Sequence, residues 1–176
     1  MTTRPEGRRA GLLPLALAIL ALGAGSAFAQ QSVVLVRHAE RADSKPGAAP
    51  AMASDPDLSD AGRARAAALA ALLKDARIAA IITTEFKRTQ QTAAPLAKAR
   101  DLPLTTIKSS ESANVVKAVR AAAGNVLVVG HSNTIPDIIK ALGAPPPAAI
   151  GDDEYDNLYI VTLGTPSSVV RLHFKP

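Results

Sequence analysis

The sequence predicts an α/β fold, a three-layer α/β/α sandwich in which helices cover both faces of a mostly parallel sheet. Short runs rich in Val and Ile alternate with longer segments rich in Ala and Leu, which is the pattern of repeated strand–helix–strand units. The short runs are apolar at nearly every position, as expected of strands buried on both faces.

Apolar runs predict the strands in chain order. Three buried strands are expected at residues 32–36, 78–83 and 125–129. Residues 158–163 and 169–174 flank the turn sequence Gly164-Thr-Pro-Ser, so they predict a terminal hairpin. Residues 104–107 predict a short edge strand.

Start and stop signals predict four helices between these strands. Ser59 is an N-cap residue for a helix through residue 73, and Gly143 ends a helix that begins near residue 135. The remaining two helices are predicted from residue 88 or 89 to about residue 99 and from residue 113 to 123. Pro95 lies inside the second helix and is expected to kink it or to delay its start.

The N-terminal segment has the three parts of a secretory signal peptide. A basic start, an apolar run and a small-x-small cleavage site are supplied by Arg4, Arg8 and Arg9, by residues 11–25, and by Ala27-Phe28-Ala29. The apolar run is shorter than the ~20 residues that span a bilayer, so a lasting membrane anchor is not expected. We expect cleavage after residues 1–29 and a single periplasmic or secreted domain of residues 30–176, with the Sec and twin-arginine routes both open.

Composition narrows the possible functions. The chain has no cysteine, which excludes disulfides, thiol catalysis and thiolate metal sites. Its net charge is +5, but the basic residues are scattered and aromatic residues make up 3% of the chain. A nucleic-acid binder is expected to show a basic stripe with stacking aromatics, so we expect small anionic substrates and no nucleic-acid partner.

Three segments share one layout, in which an apolar strand leads into a short polar turn and then a helix. Their turns read Arg37-His38-Ala39-Glu40-Arg41, Thr84-Glu85-Phe86-Lys87-Arg88-Thr89 and Gly130-His131-Ser132-Asn133. The carboxyl ends of parallel strands share one edge of the sheet, so these turns are expected to meet there. The resulting set, with two histidines and at least two arginines, suits phosphoryl transfer, in which the protein positions the group and neutralises its charge.

Four motifs together resemble the histidine phosphatase superfamily, which has the phosphoglycerate-mutase-like fold. They are Arg37-His38-Ala39-Glu40, Leu58-Ser59-Asp60-Ala61-Gly62, Thr84-x-x-x-Arg88-Thr89-x-x-Thr92-Ala93 and Gly130-His131-Ser132-Asn133. The resemblance extends from residue 33 to about residue 163. It implies a phosphohistidine intermediate formed without a metal or another cofactor.

The resemblance also implies roles for individual residues. His38 resembles the family's nucleophile, Arg37 and Arg88 the two arginines of the phosphate pocket, and His131 the second histidine, which would be protonated and would hydrogen-bond the transferring group. We infer that Arg41 is either a further substrate contact or a solvated surface arginine. Glu40 is expected to orient the pocket.

The proton donor for the leaving group is less well defined. The phytase-like branch has an aspartate directly after the second histidine, where this chain has Ser132, and the mutase-like branch uses a glutamate from an insertion that this chain lacks. The candidates are Glu85, Glu111 and Asp137. Glu85 is favoured because its turn is expected to lie at the pocket edge, within reach of the leaving oxygen.

The predicted function is an exported phosphatase that hydrolyses phosphate monoesters. A small phosphorylated substrate is expected, such as a sugar phosphate or a phosphorylated lipopolysaccharide core, with residues 44–56 as a surface loop beside the site. The acidic run Asp152-Asp153-Glu154 is expected to be a solvated loop, and His173 a structural residue of an edge strand. The alternative is a noncatalytic binder of phosphorylated sugars or envelope anions that keeps the phosphate pocket.

Overall fold

The computed structural model describes residues 30–43 and 55–176, together with Thr2. The predicted signal peptide and most of the predicted loop at residues 44–56 lie outside the described residues. The elements in chain order are β1 (Ser32–Arg37), α1 (Asp60–Leu72), β2 (Ile78–Thr83), α2 (Lys87–Arg100), β3 (Leu104–Thr106), α3 (Ser112–Ala121), β4 (Asn125–Gly130), α4 (Thr134–Ala141), β5 (Asn157–Thr162) and β6 (Ser168–His173).

The strands form one six-stranded sheet in the order β3-β2-β4-β1-β5-β6. All pairings among the first four strands are parallel, whereas β5 is antiparallel to both β1 and β6. The predicted fold class is therefore confirmed, with the terminal hairpin added as an antiparallel edge. No helix among the described residues is long and apolar enough to cross a membrane.

Both faces of the sheet are buried, which explains why the strands are apolar at consecutive positions. Val33 and Leu35 of β1 pack in one core cluster, which also contains buried residues of α3 and α4. Val34 and Val36 pack in a second cluster with residues of α1 and α2. The two clusters are the two interfaces of a three-layer sandwich.

Helix α2 begins at Lys87 and continues past Pro95, so the predicted delay of its start is wrong. The start is fixed by Asp55, whose carboxylate oxygens accept hydrogen bonds from the backbone N–H of Lys87 at 3.0 and 3.2 Å. This carboxylate lies far from Lys87 in the sequence and supplies the cap that Phe86, at the N-cap position, does not. Gly143 follows α4 with φ of 89°, as expected of a glycine that ends a helix.

Helix α1 is fixed against the turn that follows β1. Ser59 accepts a hydrogen bond from the N–H of Gly62 at 3.0 Å, and its own N–H donates to the carbonyl of Glu40 at 2.9 Å. A Cβ atom at Gly62 would overlap with that same carbonyl oxygen. The Leu-Ser-x-x-Gly motif therefore serves to bring α1 into direct contact with the loop that carries His38.

Replacing Gly62 by Ala is expected to lower the free energy of unfolding by about 2 kcal/mol, because the methyl group forces Glu40 away from α1. Helix propensity alone predicts the opposite sign, a gain of roughly 1 kcal/mol. Urea denaturation measures the difference. Gly151→Ala is the matched control, since its Cβ would meet the nearest atom, Glu154 Cγ, at an ordinary 3.5 Å. A Gly62→Ala protein as stable as the parent would contradict this role.

Candidate active site

A pocket of about 410 Å³ lies at the edge of the sheet where β1, β2 and β4 end. Five of the predicted site residues, Arg37, His38, Arg41, Arg88 and His131, line it, and each of them is buried. The other lining residues are Phe86, Ser109, Ser110, Ser132, Asn133, Thr134 and Asp152. The structure thus brings together the three turns that the sequence analysis singled out.

His38 is held in one orientation by backbone groups. The backbone N–H of His38 donates to the carbonyl of Gly130 at 2.9 Å, and the ring Nδ1 lies 2.8 Å from the carbonyl oxygen of Ala39. A carbonyl oxygen can only accept, so Nδ1 carries the hydrogen and Nε2 keeps its lone pair. Nε2 makes no hydrogen bond to the described residues and is the atom available to attack an electrophile.

The electrostatic surroundings keep His38 neutral. Burial lowers the pKa of His38, the hydrogen bond to Ala39 opposes this, and the nearby His131, Arg37 and Arg88 also lower it, with a net pKa of about 3. An uncharged imidazole at neutral pH is the form in which histidine can act as a nucleophile.

Arg37 is clamped by the loop that precedes β5. One guanidinium nitrogen, Nη1, donates to the carbonyl oxygens of Gly151 and Asp152 at 2.7 and 2.9 Å. The guanidinium carbon lies 4.2 Å from the centre of the Tyr155 ring. Burial lowers the pKa of Arg37, but an arginine remains charged in proteins.

Arg88 has a corresponding arrangement on the opposite side of the pocket. Its guanidinium carbon lies 4.1 Å from the centre of the Phe86 ring, and its Nη1 lies 3.8 Å from a carboxylate oxygen of Asp55. The Nε atoms of Arg88 and Arg37 are both buried without a hydrogen-bond partner among the described residues. Two buried guanidinium groups at one pocket suit an oxyanion, which arginine binds through charge-assisted hydrogen bonds.

Arg41 lines the pocket with 6% of its surface exposed, so it is not a solvated surface arginine. Its Nε and Nη2 donate to the two carboxylate oxygens of Asp43 at 2.8 and 2.6 Å. This pairing fixes the guanidinium at the pocket wall. A contact between Arg41 and the substrate stays a prediction.

His131 faces His38, with 5.4 Å between the ring centres. Its Nε2 lies 3.0 Å from Oγ1 of Thr84, and Phe86 packs against the ring edge-on at 5.3 Å. Burial lowers the pKa of His131, Arg88 and Arg37 also lower it, and Glu85 opposes them, with a net pKa of about 4. The protonated form implied by the family resemblance therefore requires a bound anion to offset the two arginines.

Glu40 lies outside the pocket and fixes the loop that carries His38. Its carboxylate accepts hydrogen bonds from Nε and Nη2 of Arg65 on α1 at 2.9 and 2.7 Å. Arg65 also donates to the carbonyl of Phe174 at 3.1 Å. Glu40 thus links the loop to α1 and to the C-terminal segment, a contact consistent with the predicted orienting role.

Glu85 is exposed and is not among the residues that line the pocket. Its carboxylate accepts hydrogen bonds from the N–H and the hydroxyl of Ser109 at 2.7 and 2.9 Å. Burial alone would raise the pKa of Glu85, but these bonds, together with its own backbone N–H, give a pKa below the usual value. Glu111 and Asp137 are likewise exposed, and neither lines the pocket.

Two parts of the pocket contain residues to which the sequence assigned no individual role. Asp152, in the acidic run expected to be a solvated loop, is the carboxylate among the described residues that line the pocket. Ser109 and Ser110, which precede α3, also line the pocket. The signal that could have revealed Asp152 is its position before β5, which pairs with the strand that leads to His38.

The described residues include no group of three or more His, Asp or Glu side chains that could hold a metal ion. The site is instead composed of two neutral histidines and three arginines that line one pocket. This arrangement defines a pocket for phosphoryl transfer on an α/β sandwich.

Comparison with known proteins agrees with this class. The model of the histidine phosphatase superfamily (branch 1) matches residues 33–112, which include His38 and Arg88 but not His131. This match assigns residues 33–112 to the histidine phosphatase superfamily, and it supports phosphatase activity in general. No curated protein matches the sequence.

Several solved structures have the same fold. A protein from Agrobacterium tumefaciens assigned as the phosphohistidine phosphatase SixA is 23% identical, with a TM-score of 0.59 over 81% of this chain and 98% of that one. A mycobacterial glucosyl-3-phosphoglycerate phosphatase is 15% identical, with a TM-score of 0.60 over 82% and 98%. YhfR from Bacillus stearothermophilus is 15% identical, with a TM-score of 0.63 over 81% and 96%.

Proposed function

We propose that the protein is an exported phosphatase that hydrolyses phosphate monoesters through a phosphohistidine on His38, without a metal ion. The observation that carries this proposal is the lone pair of His38 Nε2 in a pocket that Arg37 and Arg88 also line. The two guanidinium groups would bind the phosphate oxygens and neutralise their charge in the transition state.

The proposed first step transfers the phosphoryl group to the protein. Nε2 of His38 attacks phosphorus and forms an N–P bond, while the P–O bond to the alcohol breaks and its electron pair stays on the leaving oxygen. A carboxylic acid of the site donates a proton to that oxygen, so the product is a neutral alcohol.

The second step regenerates the histidine. A water molecule gives a proton to the same group, now a carboxylate, and attacks phosphorus with its oxygen. The N–P bond breaks, its electron pair returns to Nε2, and inorganic phosphate leaves.

Replacing His38 by Ala is expected to lower the turnover of p-nitrophenyl phosphate by roughly 10³-fold or more, because the nucleophile is lost. Phosphate donor labelled with ³²P is expected to leave an acid-labile label on His38 of the parent protein. Excess chelator is expected to leave the rate unchanged. His173→Ala is the control, since His173 is exposed in β6.

Full turnover by the His38→Ala protein would contradict the mechanism, and loss of activity with a chelator would contradict metal independence. A protein that binds phosphate through Arg37 and Arg88 but releases none from a broad panel of esters would instead be the noncatalytic binder.

Glu85 and Asp152 are the two candidates for the proton donor, and both are exposed. Glu85 is the donor that the sequence favours, but its engagement with Ser109 and its lowered pKa favour the ionised form at neutral pH. Asp152 lines the pocket, and its own carbonyl oxygen accepts a hydrogen bond from Arg37 at 2.9 Å. We therefore propose Asp152 as the donor, with Glu85 holding Ser109 at the pocket wall.

Replacing Asp152 by Asn is expected to slow glycerol phosphate hydrolysis by about 100-fold while changing p-nitrophenyl phosphate hydrolysis little, because nitrophenolate leaves without a proton. Glu85→Gln is expected to affect both esters alike. Asp153→Asn is the control, since Asp153 is exposed like Asp152 but does not line the pocket. If Glu85→Gln shows the selective loss instead, the donor is Glu85.

The proposed substrate is a small phosphorylated molecule of the cell envelope, such as a sugar phosphate or a phosphorylated lipopolysaccharide core. Hydroxyl and amide side chains at the pocket suit a polyol, and they come from Ser109, Ser110, Ser132 and Asn133. A neighbour with the same fold is named for a phosphorylated glucosyl compound. After cleavage of the signal, the domain would have no stable membrane anchor.

Export is expected to remove residues 1–29, because Ala27 and Ala29 form a small-x-small cleavage site. The full chain, expressed in a bacterial host, is expected in the osmotic-shock fraction with Gln30 as its first residue by N-terminal sequencing. Ala29→Arg is the control, and its precursor is expected to remain uncleaved. A cytoplasmic protein that retains residues 1–29 would contradict the proposed location.

A further inference from the structure

We infer that Thr84 and Thr89 are positioning residues that hold His131 as the tautomer with its hydrogen on Nε2, leaving Nδ1 to act on the transferring phosphoryl group. The inference rests on the proposed function for the role of His131. The supporting observation is a pair of consecutive contacts between buried side chains. Nε2 of His131 lies 3.0 Å from Oγ1 of Thr84, and Oγ1 of Thr84 lies 3.0 Å from Oγ1 of Thr89.

The acceptor at the end of this chain sets the direction of every hydrogen bond in it. The hydroxyl of Thr89 donates to the carbonyl oxygen of Phe86 at 2.8 Å, the shortest contact it makes. A hydroxyl has one hydrogen, so the contact between the two threonines requires Thr84 to be the donor. Thr84 Oγ1 then has no hydrogen left for His131 and must accept from Nε2–H.

The two histidines of the pocket are thus held in opposite tautomers. His38 has its hydrogen on Nδ1, fixed by the carbonyl of Ala39, and presents the lone pair of Nε2. His131 has its hydrogen on Nε2, fixed by Thr84, and its Nδ1 makes no hydrogen bond to the described residues. One ring is set to attack phosphorus, and the other is set to accept a proton at Nδ1.

This arrangement explains how a neutral His131 becomes a hydrogen-bond donor. A monoanionic phosphate ester carries one acidic hydrogen, with a pKa near ~6. Transfer of that proton to Nδ1 leaves a dianionic ester and an imidazolium, whose Nδ1–H donates to a phosphate oxygen. Nε2–H stays bonded to Thr84 throughout, so the ring needs no reorientation.

The adjacent Thr83 supplies a matched control. Its side chain is 1% exposed, comparable with 6% for Thr84 and 0% for Thr89. Its hydroxyl is buried without a partner among the described residues. Thr83→Val and Thr84→Val therefore make the same chemical change at neighbouring buried positions, and the hydrogen-bond chain is altered in Thr84→Val alone.

The test is long-range ¹H–¹⁵N NMR of the histidine side chains in the uniformly labelled protein, which distinguishes the two tautomers by their ¹⁵N shifts. The His131 signals are assigned by their loss in His131→Gln. We expect Nε2–H for His131 in the parent protein and a mixture with Nδ1–H in Thr84→Val. We also expect kcat/KM for p-nitrophenyl phosphate to fall about tenfold in Thr84→Val, the cost of one hydrogen bond.

Thr84→Ser is expected to restore both the spectrum and the rate, and Thr83→Val to leave both unchanged. An Nδ1–H tautomer in the parent protein would overturn the inference even if no variant folds. An unchanged His131 spectrum in Thr84→Val would also overturn it. Neither result depends on turnover, so this inference can fail while His38 is still the nucleophile, and it can hold if His38 is not.

Discussion

The parallel pairing of β1 with β4 is the constraint on which the site depends. The register opposes Arg37 to Gly130, and the N–H of His38 continues the ladder by donating to the carbonyl of Gly130 at 2.9 Å. The two histidines, each one residue past the end of its strand, are therefore neighbours because of backbone hydrogen bonds. Side chains refine their orientation, but strand pairing sets their separation.

Buried arginines are the main energetic cost of this arrangement. Arg37 and Arg88 are 7% and 3% exposed. Taking an ion out of water costs roughly several kcal/mol unless the ion is paired. Each cation is compensated in part, Arg37 by backbone carbonyls and Tyr155, Arg88 by Phe86 and the carboxylate of Asp55. Each also keeps a buried Nε without a hydrogen-bond partner among the described residues, which adds to the cost.

The sequence predicted the strands, the four helices and the cluster of His38, Arg37, Arg88 and His131, because periodic apolar runs and strand-end motifs are local signals. It did not predict contacts made across the fold by residues without a local signature. The cap of α2 by Asp55 and the pocket position of Asp152 depend on how separate loops meet. Glu85 was favoured by its place in a turn, and a turn does not determine where a carboxylate points.

The same two cations serve binding and nucleophilicity together. In the proposed function Arg37 and Arg88 would bind a phosphate group. Their charges also help burial to depress the pKa of His38 to about 3, which keeps its lone pair free at neutral pH. A histidine with an ordinary pKa near ~6.5 would be partly protonated whenever the surroundings turned acidic. Burial among arginines prevents this protonation and so keeps the lone pair. Hydrogen bonds must then fix which nitrogen faces the phosphorus. The carbonyl of Ala39 does so for His38, so the tautomer, as well as the charge, is built into the backbone of this turn.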